Sequence, residues 1–351
     1  MTELRNAALY GLLLLCAAVS GCRNRNYRPM AEYSGYALGG TYHILCDSAG
    51  GALEKEVETT LRNMDRSISL WDSLSLISRF NRSRGGIYVD SHFVSVFTVS
   101  KRIHDETGGA FNPAVYPLMK LWGLDKNALG ADSLFRRNVP VDSVLQYTRF
   151  EDITLGGVKD SLAGRWQFVA KKNPRNALDF NGISGGYAVD VLCAFFDRRG
   201  IRNYRVEVGA EVRSKGVGPD GSPWRIGIDR PTGEGETRVI QSILPLADMG
   251  VSTSGSYRRY YEKDGKRLAY RIDPATGKPA AHTLLCTSVF APTAAEADAY
   301  ATAFMSMGAG RATEFLSKKR HIRAYLISSG FDKDYQTWTS PDLEKLIEEK
   351  K

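Results

Sequence analysis

The chain has 351 residues, of which 43% are hydrophobic and 25% are charged, close to the averages for globular proteins. A chain of this length can bury a large core without disulfide bonds. The formal net charge is +8, but the basic residues occur in short pairs such as Lys171-Lys172 and Arg258-Arg259. Nucleic-acid grooves usually carry longer basic stripes, so we expect no nucleic-acid partner. An anionic membrane surface or a phosphorylated cofactor accounts for the charge equally well.

The first 22 residues have the pattern of an export signal. Arg5 supplies a weak basic region, residues 12–19 form an apolar segment too short to span a bilayer, and two small residues precede Cys22. This pattern resembles a bacterial lipoprotein signal; the alternative is an ordinary cleaved signal peptide that contains a cysteine. We expect a signal peptide over 1–21 and, after lipidation of Cys22, a membrane tether over 22–33. The protein is then expected in the bacterial cell envelope, anchored to the inner or outer membrane and facing the periplasm or exterior.

The cysteines that remain after export are Cys46, Cys193 and Cys286. They are odd in number, far apart and set in apolar surroundings. This excludes a disulfide framework or a cysteine metal cluster. We expect each to be a small buried hydrophobic residue.

The apolar spacing predicts helices and strands that alternate irregularly, with most strands in the second half. The first two helices are expected near 52–64 and 91–106, the latter capped by Ser91, followed by a polar surface excursion over 124–174 with a short helix and two strands. The remaining predicted helices are 188–199, 294 to about 307 behind a capping box at Thr293 and Glu296, and a terminal one behind Ser340-Pro341. The predicted strands are 203–208, 224–228, 238–246, 267–272, 284–291 and 322–328. This order favours an α+β fold, a single domain over 34–351 with mixed sheets and packed helices.

Asp298 and Thr302 lie four residues apart on the helix predicted behind Thr293. Their carboxylate and hydroxyl groups therefore share one helix face. Hard oxygen ligands of this kind suit Mg²⁺, which keeps water or phosphate oxygens for its other positions. The alternative is a solvated helix face without a metal.

Residues 179–187, with the sequence DFNGISGGY, form a glycine-rich turn that leads into an amphipathic helix. The exposed N–H groups of a helix N-terminus favour anions such as phosphate. The alternative is a turn whose glycines permit close packing. The strand–GxGxxG–helix arrangement of dinucleotide-binding folds is absent from the sequence around it.

Two glycine-flanked aromatic segments, 107–123 and 69–81, could supply flat apolar walls for an isoalloxazine ring. The alternative is that these aromatics belong to the core. The sequence contains no GxSxG, HExxH, Walker A or CxxC motif, and its five histidines lack ligand spacing.

Taken in chain order, these segments resemble the sequence blocks of the ApbE family. The family comprises lipoproteins once linked to thiamine synthesis and understood as FAD:protein FMN transferases. The resemblance covers about 34–328 and is carried by LGGTYH (38–43), Trp71 with SRFN (78–81), TGGAFNPAVYPLMKLWG (107–123), DFNGISGGYAVD (179–190), WRIGIDRP (224–231), STSGSYR (252–258), IDPATGKP (272–279) and APTAAEADA (291–299).

The resemblance implies an ApbE-like, T-fold-related catalytic domain and a Mg²⁺-dependent flavin transfer. A Thr or Ser hydroxyl of a target protein attacks the pyrophosphate of FAD, AMP leaves, and FMN stays attached through a phosphoester. The metal offsets charge on the pyrophosphate. The expected acceptors are flavoprotein subunits of membrane redox complexes.

Site residues can be carried over position by position. The implied metal ligands are Asp298, Thr302 and the carbonyl of Gly182, and Asp298 and Tyr270 take the catalytic positions. The implied FAD contacts are Leu38, Trp71, Ala110, Phe111, Asn112, Asp179, Gly185 and Ile272.

This sequence departs from the family pattern at several of these positions. Tyr270 stands where the family has the histidine that is the usual candidate for activating the acceptor hydroxyl. Gly185 replaces a lysine that could face phosphate, Asn112 replaces an aspartate, and Ala210 replaces the second glycine of V-G-G-E. Two alternatives to the transferase therefore remain: a Mg²⁺-dependent FAD pyrophosphatase that releases FMN and AMP, and a non-catalytic FAD-binding lipoprotein.

Overall fold

The computed structural model describes residues 29–48, 50–124, 140–161, 164–232, 237, 239–246, 248–256, 260–263, 266–269, 271–330 and 335–348. The predicted signal peptide, the predicted lipidation site Cys22, most of the predicted tether and Tyr270 lie outside these residues. Within the described part of the chain, no helix combines the length and the apolarity needed to cross a membrane.

The described elements alternate irregularly along the chain, as expected for the α+β class. The helices are α1 (Gly51–Ile68), α2 (Leu76–Arg82), α3 (Ser91–Glu106), α4 (Tyr116–Leu121), α5 (Val141–Leu145), α6 (Ser184–Arg198), α7 (Ala294–Lys318) and α8 (Pro341–Glu344). The strands are β1 (Ala31–Ala37), β2 (Gly40–Cys46), β3 (Gly86–Val89), β4 (Ile153–Ser161), β5 (Gly164–Lys171), β6 (Tyr204–Val208), β7 (Glu211–Lys215), β8 (Arg225–Asp229), β9 (Ile240–Pro245), β10 (Gly250–Gly255), β11 (Tyr260–Lys263), β12 (Lys266–Ala269), β13 (Ile272–Asp273), β14 (Lys278–Pro279), β15 (Leu284–Ala291), β16 (Arg323–Ser329) and β17 (Tyr335–Thr339).

A large antiparallel sheet organises the fold, with the strand order β1-β2-β6-β7-β10-β15-β16-β17. Successive side chains of a strand point to opposite faces. Val289 of β15 and Leu326 of β16 accordingly join the central core, while their neighbours Phe290 and Ile327 join a second cluster with the β8–β9 hairpin. Both faces of these central strands are therefore covered, which explains their nearly continuous apolar sequences.

Helix α7 packs along β10 and β15 and against α6 on the face of the central core. Its first half ends at Gly308, whose φ of 78° interrupts the helix where the sequence predicts its end, but α7 continues beyond this kink to Lys318. The His282 ring sits against this glycine, and its Nε2 donates to the Met305 carbonyl at 2.8 Å. The interruption leaves carbonyl groups without helical partners, and the His282 side chain supplies a donor to one of them.

The polar stretch over 124–174 contributes α5, β4 and β5, as the sequence predicts. Strand β5 pairs with both β3 and β4 in a separate antiparallel sheet, ordered β3-β5-β4. This sheet packs against α3, because Val169 of β5 joins the central core with Phe93 and Phe97.

The SRFN segment connects this second sheet to the glycine-rich turn. The Asn81 side chain donates to the Leu178 carbonyl at 2.8 Å and accepts from the Leu178 N–H at 2.7 Å. The buried Lys171 ammonium donates to the carbonyls of Phe80 and Asn176, each at 3.0 Å, and burial lowers the pKa of Lys171 to about 8. These hydrogen bonds hold the backbone just before Asp179, and they therefore position the glycine-rich turn of the candidate site.

Several predicted boundaries are wrong, each for a local reason. Asp90, not Ser91, caps α3, because its carboxylate accepts from the Phe93 N–H at 3.0 Å. Helix α6 begins at Ser184 rather than 188. Gly185 and Gly186, which the sequence prediction assigned to the glycine-rich turn, belong to the first turn of this helix. Residues 31–33 belong to β1 and not to the tether, because they pair with β2.

The two helix starts predicted in the C-terminal third, at Thr293 and Ser340, are both present, but the helices that follow them differ in length. The Thr293 hydroxyl caps α7 by accepting from the Glu296 N–H at 3.2 Å. The Glu296 carboxylate pairs with Arg102, so the described contacts show only half of the capping box. The terminal helix behind Ser340 has only four residues.

Candidate active site

The N-terminus of α6 crosses the start of α7 at very short distance. A Cβ atom on Gly186 would overlap the backbone of Ala294, as would one on Gly250 of β10. The Asp190 carboxylate accepts from the N–H groups of Ala294 and Ala295, at 3.0 and 2.8 Å. Glycine is therefore required where the helices meet, and an aspartate of α6 supplies acceptors to the first turn of α7.

This crossing brings the predicted metal ligands together. The Gly186 N–H donates to Asp298 Oδ2 at 3.2 Å. A Cβ atom on Gly182 would lie 2.8 Å from Thr302 Oγ1, so the turn backbone contacts the threonine hydroxyl. Asp298 is only 4% exposed, which excludes the alternative of a solvated helix face.

Thr302 Oγ1 is buried and has no hydrogen-bond partner among the residues that the structure describes. A buried hydroxyl without a partner is costly, and a missing ion or water is a common explanation. Its neighbours are the Asp298 carboxylate, one turn earlier on α7, and the Gly182 backbone. Carboxylate, hydroxyl and carbonyl oxygens are the donors that a hard divalent cation prefers, so the residues present fit such an ion.

Glu211, the first residue of β7, is a half-buried acid that the sequence prediction missed. Ser252 Oγ donates to its Oε1 at 2.9 Å, and the Ala210 N–H donates to its Oε2 at 3.2 Å. Its Oε2 fills the space that a Cβ atom on Gly185 would occupy. Burial raises the pKa of Glu211 to about 7. The missing side chain at 185 therefore makes room for an acid beside the first turn of α6.

Glu211 and Asp298 affect each other electrostatically. Burial, and then the nearby charge of Glu211, raise the pKa of Asp298 above its ordinary value, while the Gly186 N–H and Arg271 act in the opposite direction. Two carboxylates that share one buried site disfavour each other's ionised form. A divalent cation would reverse this effect by stabilising both charges.

Arg271 is a further charged residue near these acids that the sequence prediction missed. Its guanidinium donates to Ser254 Oγ of β10 at 3.2 Å. Burial lowers the pKa of Arg271, while the charges of Asp298, Asp179 and Glu211 raise it. The residue keeps partial solvent exposure.

The predicted contacts Leu38 and Trp71 meet at the β1–β2 turn. Leu38 has a φ of 53°, unusual for a residue with a Cβ atom, and its N–H donates to Asp65 Oδ1 at 2.9 Å. A Cβ atom on Gly39 would overlap the Trp71 indole, so the ring lies against the turn backbone. Trp71 is 54% exposed and offers an accessible aromatic face.

The predicted contacts at 110–112 lie next to Asp179. The Asp179 N–H donates to the Pro113 carbonyl at 2.7 Å, which joins the two loops. The Phe111 ring is buried in the central core and does not form an exposed wall. The Asn112 side chain accepts from the Ala114 N–H and donates to the Thr148 carbonyl, both at 2.9 Å, so both ends of its amide hold the loop.

Ile272 follows Arg271 directly and begins β13. It is buried with Leu118 and Trp122 in a small cluster, and the Trp122 indole N–H donates to the Gly277 carbonyl at 2.7 Å. Ile272 therefore anchors the 271–279 hairpin to α4 and holds Arg271 in place. A direct role for Tyr270 stays a prediction, because that residue lies outside the described part of the chain.

Comparisons with known proteins identify the family to which this chain belongs. The model of the ApbE family matches residues 38–326. The FAD:protein FMN transferase of Escherichia coli strain K12 is 33% identical over 297 residues, which cover 84% of this chain and 82% of the relative. The enzyme of the same name from Salmonella typhimurium strain LT2 is 33% identical over 356 residues, which cover 99% and 98% of the two chains.

Solved structures share the same fold. The flavin transferase ApbE from Vibrio cholerae superposes with a TM-score of 0.76 at 28% identity, covering 91% of this chain and 99% of that one. The apo flavinyl transferase ApbE of Pseudomonas stutzeri gives a TM-score of 0.77 at 28% identity, with coverages of 91% and 97%. The predicted α+β class of a single domain is therefore confirmed.

Proposed function

The chain belongs to the ApbE family, and we propose that it transfers FMN from FAD to a Thr or Ser hydroxyl of a target flavoprotein, with release of AMP. The observation that carries the proposal is the convergence of Asp298, Thr302 and the Gly182 backbone at the N-terminus of α6, where the Thr302 hydroxyl has no partner in the described part of the chain. The names of its relatives support the same activity.

The proposed metal is Mg²⁺, bound by the Asp298 carboxylate, the Thr302 hydroxyl and the Gly182 carbonyl. When bound, it offsets charge on the diphosphate and assists departure of AMP. The chain's own residues supply the rest. The first turn of α6 presents N–H donors and a positive dipole end to the diphosphate. The exposed Trp71 indole provides a stacking face for a planar ring.

Product analysis tests this proposal against its alternatives. FAD and Mg²⁺ are incubated with the purified protein, with and without an acceptor flavoprotein domain. We expect protein-bound FMN and free AMP only when the acceptor is present. Free FMN with AMP in the absence of acceptor would favour the pyrophosphatase, and intact FAD in both samples would favour a non-catalytic binder. A chelator should abolish formation of either product.

We also propose that Cys22 carries a lipid that anchors the protein to a membrane of the cell envelope, where subunits of membrane redox complexes would be its acceptors. The support is the short apolar segment that ends at Cys22. We expect Cys22→Ala to move the protein from the membrane fraction to a soluble one. An unchanged distribution, together with an unmodified mature N-terminus in mass spectra, would contradict the anchor.

A further inference from the structure

Arg271 is held where a bound anion could meet it. Its backbone carbonyl accepts from the Ala280 N–H at 2.7 Å, and the next residue, Ile272, is fixed in the cluster with α4. A guanidinium has five N–H donors, and the bond to Ser254 is the hydrogen bond that it donates to the described residues. Donors therefore remain available on a side chain that is placed by its surroundings.

The acids around Arg271 are also the residues that frame the proposed FAD site. Asp298 is a proposed metal ligand, Asp179 begins the glycine-rich turn, and Glu211 lies against Gly185. Among the described residues, neither Asp298 nor Glu211 forms an ion pair within 4.0 Å of the guanidinium. The Arg271 guanidinium therefore interacts with these two carboxylates at longer range and does not form a direct ion pair with them.

The family pattern has a lysine at the position of Gly185, and this chain has lost that cation. The vacated space is taken by the Glu211 carboxylate, which adds negative charge beside the first turn of α6. An anionic diphosphate would then face additional repulsion unless another cation lay close by. Arg271 is such a cation: its guanidinium donates to Ser254 of β10, and Ser252, two residues earlier on the same face of that strand, donates to Glu211.

We propose that Arg271 is the side chain that binds the diphosphate of FAD in this protein, and that it replaces the lysine absent at 185. This inference rests on the proposed function, since it names a further binding residue at the same site. A guanidinium suits the task because it stays charged and can donate two parallel hydrogen bonds to phosphate oxygens. The Arg271 guanidinium would therefore favour ligands that carry a diphosphate over ligands that lack one.

Binding measurements on the purified full chain test the proposal without relying on turnover. We titrate wild type and Arg271→Gln with FAD, ADP and riboflavin, in chelator and again in Mg²⁺, by calorimetry. Loss of a charged hydrogen bond should weaken FAD and ADP binding by about 10–100-fold. Riboflavin lacks phosphate, so its dissociation constant should stay the same. Arg225→Gln, at an exposed arginine paired with Glu348, should leave all three unchanged.

A rescue experiment separates ligand binding from a role as counter-ion to the acids. Arg271→Lys should retain part of the FAD affinity, and Gly185→Lys added to Arg271→Gln should restore part of it. A loss of affinity that is equal for FAD and riboflavin, or no loss at all, would overturn the proposal. Wild type that binds FAD through Arg271 but forms no flavinylated product would overturn the transferase function alone, whereas wild type that binds no FAD would overturn both.

Discussion

Replacing Asp298 by Asn is expected to reduce FMN transfer by at least about 10²-fold, because several kcal/mol of metal-based stabilisation would be lost. Asn keeps the shape and the acceptor oxygen that receives the Gly186 N–H. It removes only the charge that a divalent cation needs. The loss should appear in the rate of product formation at saturating FAD.

The same substitution should not destabilise the fold. Burial and the charge of Glu211 raise the pKa of Asp298, so the ionised carboxylate costs stability at neutral pH, and this cost is relieved as the pH falls through the raised pKa. A neutral Asn removes that cost. We therefore expect an unchanged or higher Tm in chelator and loss of the Mg²⁺-dependent rise in Tm.

Glu314→Gln is the matched control, since Glu314 is an exposed carboxylate on the same helix, paired with Lys318 at 2.8 Å. It should keep both transfer rate and Mg²⁺ response. Wild-type activity of Asp298→Asn at limiting Mg²⁺ would show that α7 does not hold the metal.

Local patterns in the sequence predict the longer helices of this fold well, whereas several strands, including β1 and β2, were not predicted. The apolar spacing around Val57 and Leu61 predicts α1, and Thr293 predicts the start of α7. Strand β3 was missed because it has only 4 residues. Periodicity over so few residues does not distinguish a strand from a turn.

The candidate site shows a similar division. Motif resemblance found Asp298, Thr302 and Gly182, and the structure brings them together. Glu211 and Arg271 escaped prediction because their importance depends on contacts between residues distant in sequence. The signal in the sequence was the departure at Gly185. Without the lysine side chain of the family pattern, other residues must fill the space and supply the missing positive charge.

The substitution Tyr270→His is expected to raise FMN transfer near neutral pH if Tyr270 replaces the family's activating histidine. An imidazole has a pKa of about 6.5 and is available as a base at pH 7, whereas an ordinary phenol, with a pKa of about 10, is protonated there. General-base assistance is worth about 10²–10⁴-fold, so even partial restoration should be measurable. The rate of the variant should rise between about pH 5.5 and 7.5, as the imidazole loses its proton.

Two comparisons make the result for Tyr270 decisive. FAD affinity should change little, because the predicted role is proton transfer to or from the acceptor hydroxyl and not retention of the ligand. Tyr36→His, at a tyrosine that is 86% exposed on β1, should leave the rate and its pH profile unchanged. If wild type is fully active and Tyr270→His is neutral or harmful, the proton acceptor lies at another residue. If both proteins bind FAD and neither transfers FMN, the chain is a flavin-binding member of the family without transferase activity.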